Sequence, residues 1–105
     1  MSVLFRVAPT ADGVNPYDAM GLEAPDMLAV TSDTREELAH NLRYCSTVRG
    51  MSLFDLSAAL DEDYKSVERL VLRGDGAFSL ARRMFEHMRA QVDSYPAVDS
   101  TGRFI

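Results

Sequence analysis

Hydrophobic residues at helical spacing predict four helices in the second two-thirds of the chain. In the first helix, Leu38, Leu42 and Cys45 fall on one face, and Gly50 ends the pattern. The later helices repeat this spacing with the inward-facing sets Leu53, Leu56 and Leu60; Val67, Leu70 and Val71; and Phe78, Ala81, Phe85 and Met88. Apolar stripes of this kind are typical of helices that pack around a shared core.

Polar and turn-forming residues mark the ends of these helices. Asp33 or Thr34 is a suitable cap for the first helix, and Ser52 for the second. The sequence RGDG (73–76) separates the third helix from the fourth. The fourth is predicted to run through AFSLARRMFEHMRAQV, with Pro96 as its end signal.

The N-terminal third has a different pattern. Val3–Val7 is short, apolar and β-prone, which predicts one strand or a hydrophobic clip. Residues 8–33 hold three of the four prolines and predict an extended arm, in which NPYDAM (15–20) can form one helical turn. The predicted fold is therefore mostly α. It has four to five helices containing a helix-turn-helix, preceded by a short N-terminal strand and an extended acidic arm.

Composition is that of a globular protein. With 105 residues, 47% of them hydrophobic, the chain suffices for one small domain. We divide it into a strand and proline-containing arm (1–33), a helix-turn-helix domain (34–93) and a C-terminal tail (94–105). No apolar run approaches the roughly 18 residues that cross a bilayer, and Cys45 is the only cysteine. We therefore expect a cytoplasmic protein that does not bind a membrane.

The distribution of charge is more informative than its total. A net charge of −5 counts against a generic nucleic-acid binder, because such domains are usually basic. However, residues 1–34 hold one arginine and five acidic residues, whereas residues 35–105 hold ten basic and eleven acidic residues. The acidic excess thus lies in the arm, and the helical part is nearly neutral.

Residues 53–72 fit the packing positions of a twenty-residue motif. A small residue, Ser57, stands where two helices touch, and apolar residues fill four buried positions: Leu56, Leu60, Val67 and Leu70. With the flanking sequence, LAHNLRYCSTVRGMSLFDLSAALDEDYKSVERLVLRGDG resembles the core of the Cro/repressor (Xre-type) helix-turn-helix family. Two positions depart from the family: Asp61 stands where glycine is favoured, and Glu62 where an aliphatic residue is usual.

This resemblance implies a small DNA-binding transcriptional regulator of phage, mobile-element or antitoxin type. Its recognition helix would span about residues 62–73. The outward side chains would be Asp63, Tyr64, Lys65, Glu68, Arg69 and Leu72. Lys65, Arg69 and Arg73 recur at i, i+4 and i+8 and form a basic stripe. Arg69 can bind guanine through two hydrogen bonds, and Lys65 and Arg73 can bind phosphates. Tyr64 can contact a phosphate or a thymine methyl group.

Regulators of this kind bind a partly palindromic, double-stranded operator as homodimers. We therefore expect a homodimer. The candidate dimer contacts are the last helix, the C-terminal GRFI and the N-terminal VLFRV.

A second hypothesis is a protein-binding module on a helix-turn-helix scaffold that does not bind DNA, such as an anti-activator, an antitoxin or a phage inhibitor. Asp61, Glu62 and Asp63 would repel phosphate at the end of the recognition helix that ordinarily attracts it. Exposed Leu53 and Phe54 beside Tyr64 would form an apolar patch suited to a protein partner. The acidic arm is another candidate surface for such a partner.

Other chemistry finds little support in the sequence. His40 and His87 are isolated on separate helices, without the spacing of a metal site. Neither a G-x-S-x-G nucleophile motif nor a phosphate-binding loop occurs. We therefore expect no catalytic residues, no metal, no cofactor and no enzymatic activity.

Overall fold

The structure, a computed structural model, describes the backbone of residues 2–5 and, with their side chains, residues 26–101 and 104. Its elements in chain order are β1 (Ser2–Phe5), β2 (Met27–Thr31), α1 (Arg35–Arg49), α2 (Leu53–Leu60), α3 (Tyr64–Arg73), α4 (Phe78–His87) and β3 (Ala90–Ser94). The prediction of a mostly helical fold with four helices and a short strand on the N-terminal side is confirmed. No helix in the described ranges has the length and apolar character needed to cross a membrane.

The three strands form one parallel sheet in the order β1-β2-β3. In the central strand, Ala29 pairs with Leu4 of β1 and Leu28 pairs with Ala90 of β3. All four helices lie between β2 and β3 in the chain, because parallel strands cannot be joined by a tight turn. The sheet therefore brings the two ends of the helical segment together.

Every helix in the described residues contributes to one hydrophobic core. The apolar side chains with no solvent exposure come from β2, from all four helices and from the residue that follows α4: Leu28, Val30, Leu38, Leu42, Cys45, Leu56, Val67, Leu70, Ala81, Met84, Phe85 and Met88. Most of these are the residues whose spacing predicted the helices. Their burial confirms the inward faces that the sequence predicts.

Both ends of α1 and the start of α2 match the predicted signals. The Thr34 hydroxyl accepts a hydrogen bond from the Glu37 amide at 3.1 Å and caps α1. Ser52 and Asp55 form a reciprocal capping box at α2, with distances of 3.0 and 3.1 Å. At the end of α1, Gly50 adopts a φ of 64°, a left-handed conformation that glycine accepts without strain.

Two strands were not predicted. β2 lies within the segment interpreted as an extended arm, and its residues Leu28, Ala29 and Val30 are all buried. A strand covered on both faces is continuously apolar and lacks the alternation that identifies a half-exposed strand. Residues 8–25 of the arm, including NPYDAM, lie outside the described residues.

The fourth helix is shorter than predicted. It ends at His87, and Arg89 with a φ of 60° turns the chain into β3. Pro96 follows β3 and does not end the helix. Apolar residues continue at near-helical spacing from Met88 to Val92, which explains why the sequence predicts a longer helix.

The C-terminal tail returns to the core. Phe104 is buried, bridges Val98 in antiparallel fashion, and lies with its ring 6.5 Å from that of Phe78. Phe104, which belongs to the candidate dimer segment GRFI, thus packs within its own chain. The other three residues of GRFI lie outside the described part of the chain.

Candidate nucleic-acid interface

The turn between α2 and α3 is built around Asp61. Its φ of 53° lies in the left-handed region, and its backbone N–H caps α2 through the carbonyl groups of Ala58 and Ser57. The Glu62 amide also donates to Ser57 at 2.9 Å. An aspartate tolerates this conformation better than most residues, so Asp61 replaces the glycine that the motif favours. α3 then begins at Tyr64, slightly later than predicted, with Asp63 at its N-cap.

The packing positions of the α2–turn–α3 unit are filled largely as predicted. Leu56, Val67 and Leu70 have no solvent exposure, and Ser57 is buried at the helix contact. Leu60 differs, since it is only partly buried against the core. A truncation at Leu60 should therefore destabilise the protein less than a truncation at Leu56.

Contacts with α1 fix the orientation of α3. The Arg43 side chain donates to the Val71 carbonyl at 2.7 Å. At the end of α3, a Cβ added to Gly74 would lie only 2.0 Å from the Arg35 carbonyl oxygen. The two helices approach so closely that only glycine fits, and α3 is held with one face on the core and the other outward.

The outward face of α3 carries the predicted basic stripe. The Lys65 side chain is 77% exposed and lies 3.8 Å from Glu68 on the same helix. The Arg69 side chain is 64% exposed and forms an ion pair with Asp75 at 3.1 Å. Arg73 is exposed in the last turn of the helix, and no ion pair of this residue occurs among the described side chains. These three residues thus share one solvent-facing surface, which we call the α3 basic stripe.

Two large apolar side chains flank the α3 basic stripe. Tyr64 is 39% exposed at the start of the helix, and Leu72 is 55% exposed near its end. In a major groove, the apolar group available to such side chains is the methyl group of thymine. On a protein surface, they would instead contact apolar side chains of a partner.

The three acids at the start of α3 have different environments. Asp61 is the turn residue, and Glu62 forms an ion pair with Arg83 of α4. Arg83 also donates to the Leu60 carbonyl at 2.8 Å, which holds this pair in place. Asp63 is exposed, and its side chain makes no capping hydrogen bond within the described structure. The Glu62 charge of the predicted acidic cluster is therefore paired, whereas Asp61 and Asp63 are both exposed.

The predicted apolar patch is smaller than expected. Leu53 is partly buried and packs against the hydrophobic core, because it occupies the inward face of α2. Phe54 lies on the opposite face and is 71% exposed, more than the other exposed large hydrophobic side chains of the described residues. Leu53 is thus a core residue, and Phe54 and Tyr64 are the members of the patch that face solvent.

A groove of about 510 Å³ lies between α3 and the beginning of α4. Its lining includes both ion pairs described above, Arg69–Asp75 and Glu62–Arg83, together with the Ser66 side chain. The groove therefore borders the α3 basic stripe on the side of α4. Its opposite charges are balanced within the wall.

The side chains of Cys45 and His40 have shifted pKa values. Cys45 is fully buried, and this burial raises the pKa of its thiol to about 12. Burial and the nearby Arg43 lower the pKa of His40. Among the described residues, no group of three or more His, Cys, Asp or Glu side chains is arranged to hold a metal ion.

Sequence reasoning did not identify Arg35, Asp75 and Arg83 as part of this surface. Arg83 meets Glu62 from 21 residues away, and Arg35 meets Asp75 from the first turn of α1 at 3.6 Å. Such contacts have no local signature, because they depend on how whole helices pack. The one available signal was the RGDG break, which places an acid directly after the basic helix.

Comparisons with known proteins give no assignment: no family model, curated protein or solved structure matches this chain.

Proposed function

We propose that this protein is a small DNA-binding transcriptional regulator that inserts α3 into the major groove. The observation that supports this most directly is the α3 basic stripe on a helix whose other face is locked into the core. Lys65 and Arg69 are both largely exposed, and the helix itself is fixed by Gly74 and Arg43. A rigid helix with a basic outer face meets the first requirement of groove recognition.

The roles along the stripe follow from the chemistry of the side chains. Arg69 presents a planar guanidinium that can donate two hydrogen bonds to the O6 and N7 atoms of guanine. Lys65 and Arg73 lie one turn away on either side, where a cation stabilises a phosphate without selecting a base. Tyr64 and Leu72 add apolar surface next to the base edges.

The environment of the acids also favours this proposal. Glu62 is paired with Arg83, and Asp61 has a structural reason to be at the turn. Asp61 and Asp63 remain as exposed charges that oppose phosphate at the start of α3. Each carboxylate at contact distance costs only about 1 kcal/mol in water, and three basic side chains can outweigh two such charges.

Selection from a random duplex library tests this proposal. We expect enrichment of one partly palindromic sequence, with half-sites about one helical turn apart, since a homodimer places its two recognition helices at that spacing. The matched control is the variant Lys65→Ala/Arg69→Ala/Arg73→Ala, which should keep its melting temperature and lose the enrichment. The proposal is wrong if wild type and control recover the same unenriched library.

A second candidate, a protein-binding module that does not bind DNA, is favoured by one observation. Phe54 is 71% exposed on the outer face of α2. A large apolar side chain in water is a common feature of protein interfaces, where aromatic residues act as anchors. Tyr64, at the start of the next helix, would belong to the same interface.

The same purified protein distinguishes the two candidates. If Phe54 anchors a partner, Phe54→Ala should reduce recovery of one stoichiometric protein and leave DNA recovery unchanged. If α3 reads DNA, the stripe variant should lose DNA and Phe54→Ala should not. A partner that depends on Phe54, together with no DNA enrichment, would replace the first proposal with the second.

A further inference from the structure

We infer that Asp75 is a positioning residue that orients Arg69 for base recognition, an inference that rests on the proposed DNA-binding function. Asp75 lies two residues beyond α3 and outside its outward face. Its carboxylate Oδ2 accepts a hydrogen bond from Nη2 of Arg69 at 3.1 Å. Asp75 therefore acts on DNA through Arg69 and touches no base itself.

The end of α3 fixes Asp75 relative to Arg69. The Gly74 amide donates to Leu70 at 2.8 Å, and the Asp75 amide donates to the carbonyl of Arg69 itself at 3.3 Å. These two bonds belong to the left-handed helix ending at Gly74, with a φ of 65°. Asp75 is thus joined to Arg69 through its backbone as well as its side chain.

A second arginine holds Asp75 from the other side. Nη1 of Arg35 lies 3.6 Å from Oδ1 of Asp75, and Nη2 of Arg35 donates to the Phe104 carbonyl at 2.8 Å. The backbone of Arg35 also packs against Gly74, where an added Cβ would lie 2.0 Å from the Arg35 carbonyl oxygen. The Asp75 carboxylate is therefore anchored to α1 while it contacts Arg69.

Stability does not explain this arrangement. The side chains of Arg69 and Asp75 are 64% and 41% exposed, and ion pairs so open to water contribute little to folding. Orientation is the more substantial effect, since a guanidinium held in one direction loses less freedom when it binds. Asp75 contacts one of the two terminal nitrogens, which leaves other N–H groups of Arg69 for guanine.

The other two residues of the α3 basic stripe lack such a support. Lys65 has only Glu68 of its own helix, at 3.8 Å, and Arg73 has no ion pair in the described structure. Both suit phosphates, which tolerate a mobile cation. Arg69 is distinguished from them by an acid that comes from outside the helix, which is why we assign it the base contact.

Asp75→Asn tests this inference, with Asp63→Asn as a control that removes an equal charge near α3. Each variant is titrated with the selected operator and with an operator whose contacted guanine is replaced by adenine. Both should bind non-specific DNA more tightly at low salt. Only Asp75→Asn should lose discrimination, by about tenfold, within the range of one bidentate base contact.

A double variant shows whether Asp75 acts through Arg69. In an Arg69→Ala background, Asp75→Asn should change discrimination no further, because the residue it positions is absent. Unchanged melting temperatures exclude unfolding as the cause. Equal discrimination in Asp75→Asn and Asp63→Asn would overturn the inference and leave the proposed function standing. Failure of wild type to bind any duplex would overturn both.

Discussion

The two faces of α3 differ in what they contribute. The inner face carries Val67, Leu70 and Val71, all buried in the core. The outer face carries the α3 basic stripe and Leu72, all in water. The ten residues of α3 thus form one face that packs in the core and one face that is exposed to solvent. Changes on the inner face should alter folding, and changes on the outer face should alter binding.

The largest expected effect comes from the inner face. Leu70→Ala should destabilise the protein by roughly 2–5 kcal/mol, because it removes a fully buried side chain and leaves a cavity. The matched control is Leu72→Ala on the same helix, which is 55% exposed and should change the free energy of unfolding by less than about 0.5 kcal/mol. Urea titrations measure both. Equal losses would mean that α3 does not pack on this face.

Glycine at the end of α3 tests how tightly the inner face is held. Gly74→Ala combines a left-handed backbone with a collision against the Arg35 carbonyl, whereas Gly50→Ala has the same φ and open space around it. Backbone strain alone should destabilise both variants by roughly 1–2 kcal/mol. The collision should make the loss of stability clearly larger in Gly74→Ala. Thermal melts compare them. Similar melting temperatures would contradict the close contact of α1 with α3.

The sequence predicts the helices and their caps better than it predicts the strands. The helices and their caps follow from local patterns, such as the leucine spacing of α2 and the Ser52–Asp55 capping box. β2 was not predicted because its four apolar residues, Met27–Val30, lie in a segment whose prolines favour an extended arm. β3 was not predicted because Arg89 forms the turn before it, and no glycine or proline marks that turn in the sequence.

The residues of the candidate surface also differ in how well the sequence predicts them. The α3 basic stripe is predictable, since its residues recur at i, i+4 and i+8 on one helix. The ion-pair partners of the stripe and of the acidic residues cannot be predicted in this way, because Asp75 is held by α1 and Glu62 by α4. Parallel pairing and contacts between helices depend on distant residues, and one sequence contains no local sign of them.

The outer face should affect binding without affecting folding. Arg69→Ala should cost roughly 1–3 kcal/mol in operator binding and relax the preference at one base pair. Lys65→Ala should weaken binding to all sequences and lower the salt dependence, as expected for a phosphate contact. Gel-shift titrations at two salt concentrations check both. Isotherms unchanged from wild type would show that this face does not contact DNA.

The smallest effect concerns the cap of α2. Hydrogen bonds from the Ser52 backbone and side chain lower the pKa of Asp55 below its usual 3.8. A depressed pKa stabilises the folded state above the unfolded pKa, and this contribution disappears as pH falls through the folded pKa. Asp55→Asn should therefore be less stable than wild type near neutral pH and converge with it in acid. A constant difference down to pH 2 would contradict the capping box.

The central claim, that the outer face of α3 binds DNA, is tested most directly by the variant Asp61→Asn/Glu62→Gln/Asp63→Asn. These substitutions remove three negative charges at the start of α3 and nearly preserve shape. Asparagine also tolerates the left-handed turn at position 61. Fluorescence anisotropy with a labelled random duplex, measured from low to moderate salt, should show tighter binding than wild type, most clearly at low salt. A folded variant that still fails to bind the duplex at low salt would contradict the account and favour the protein-binding alternative.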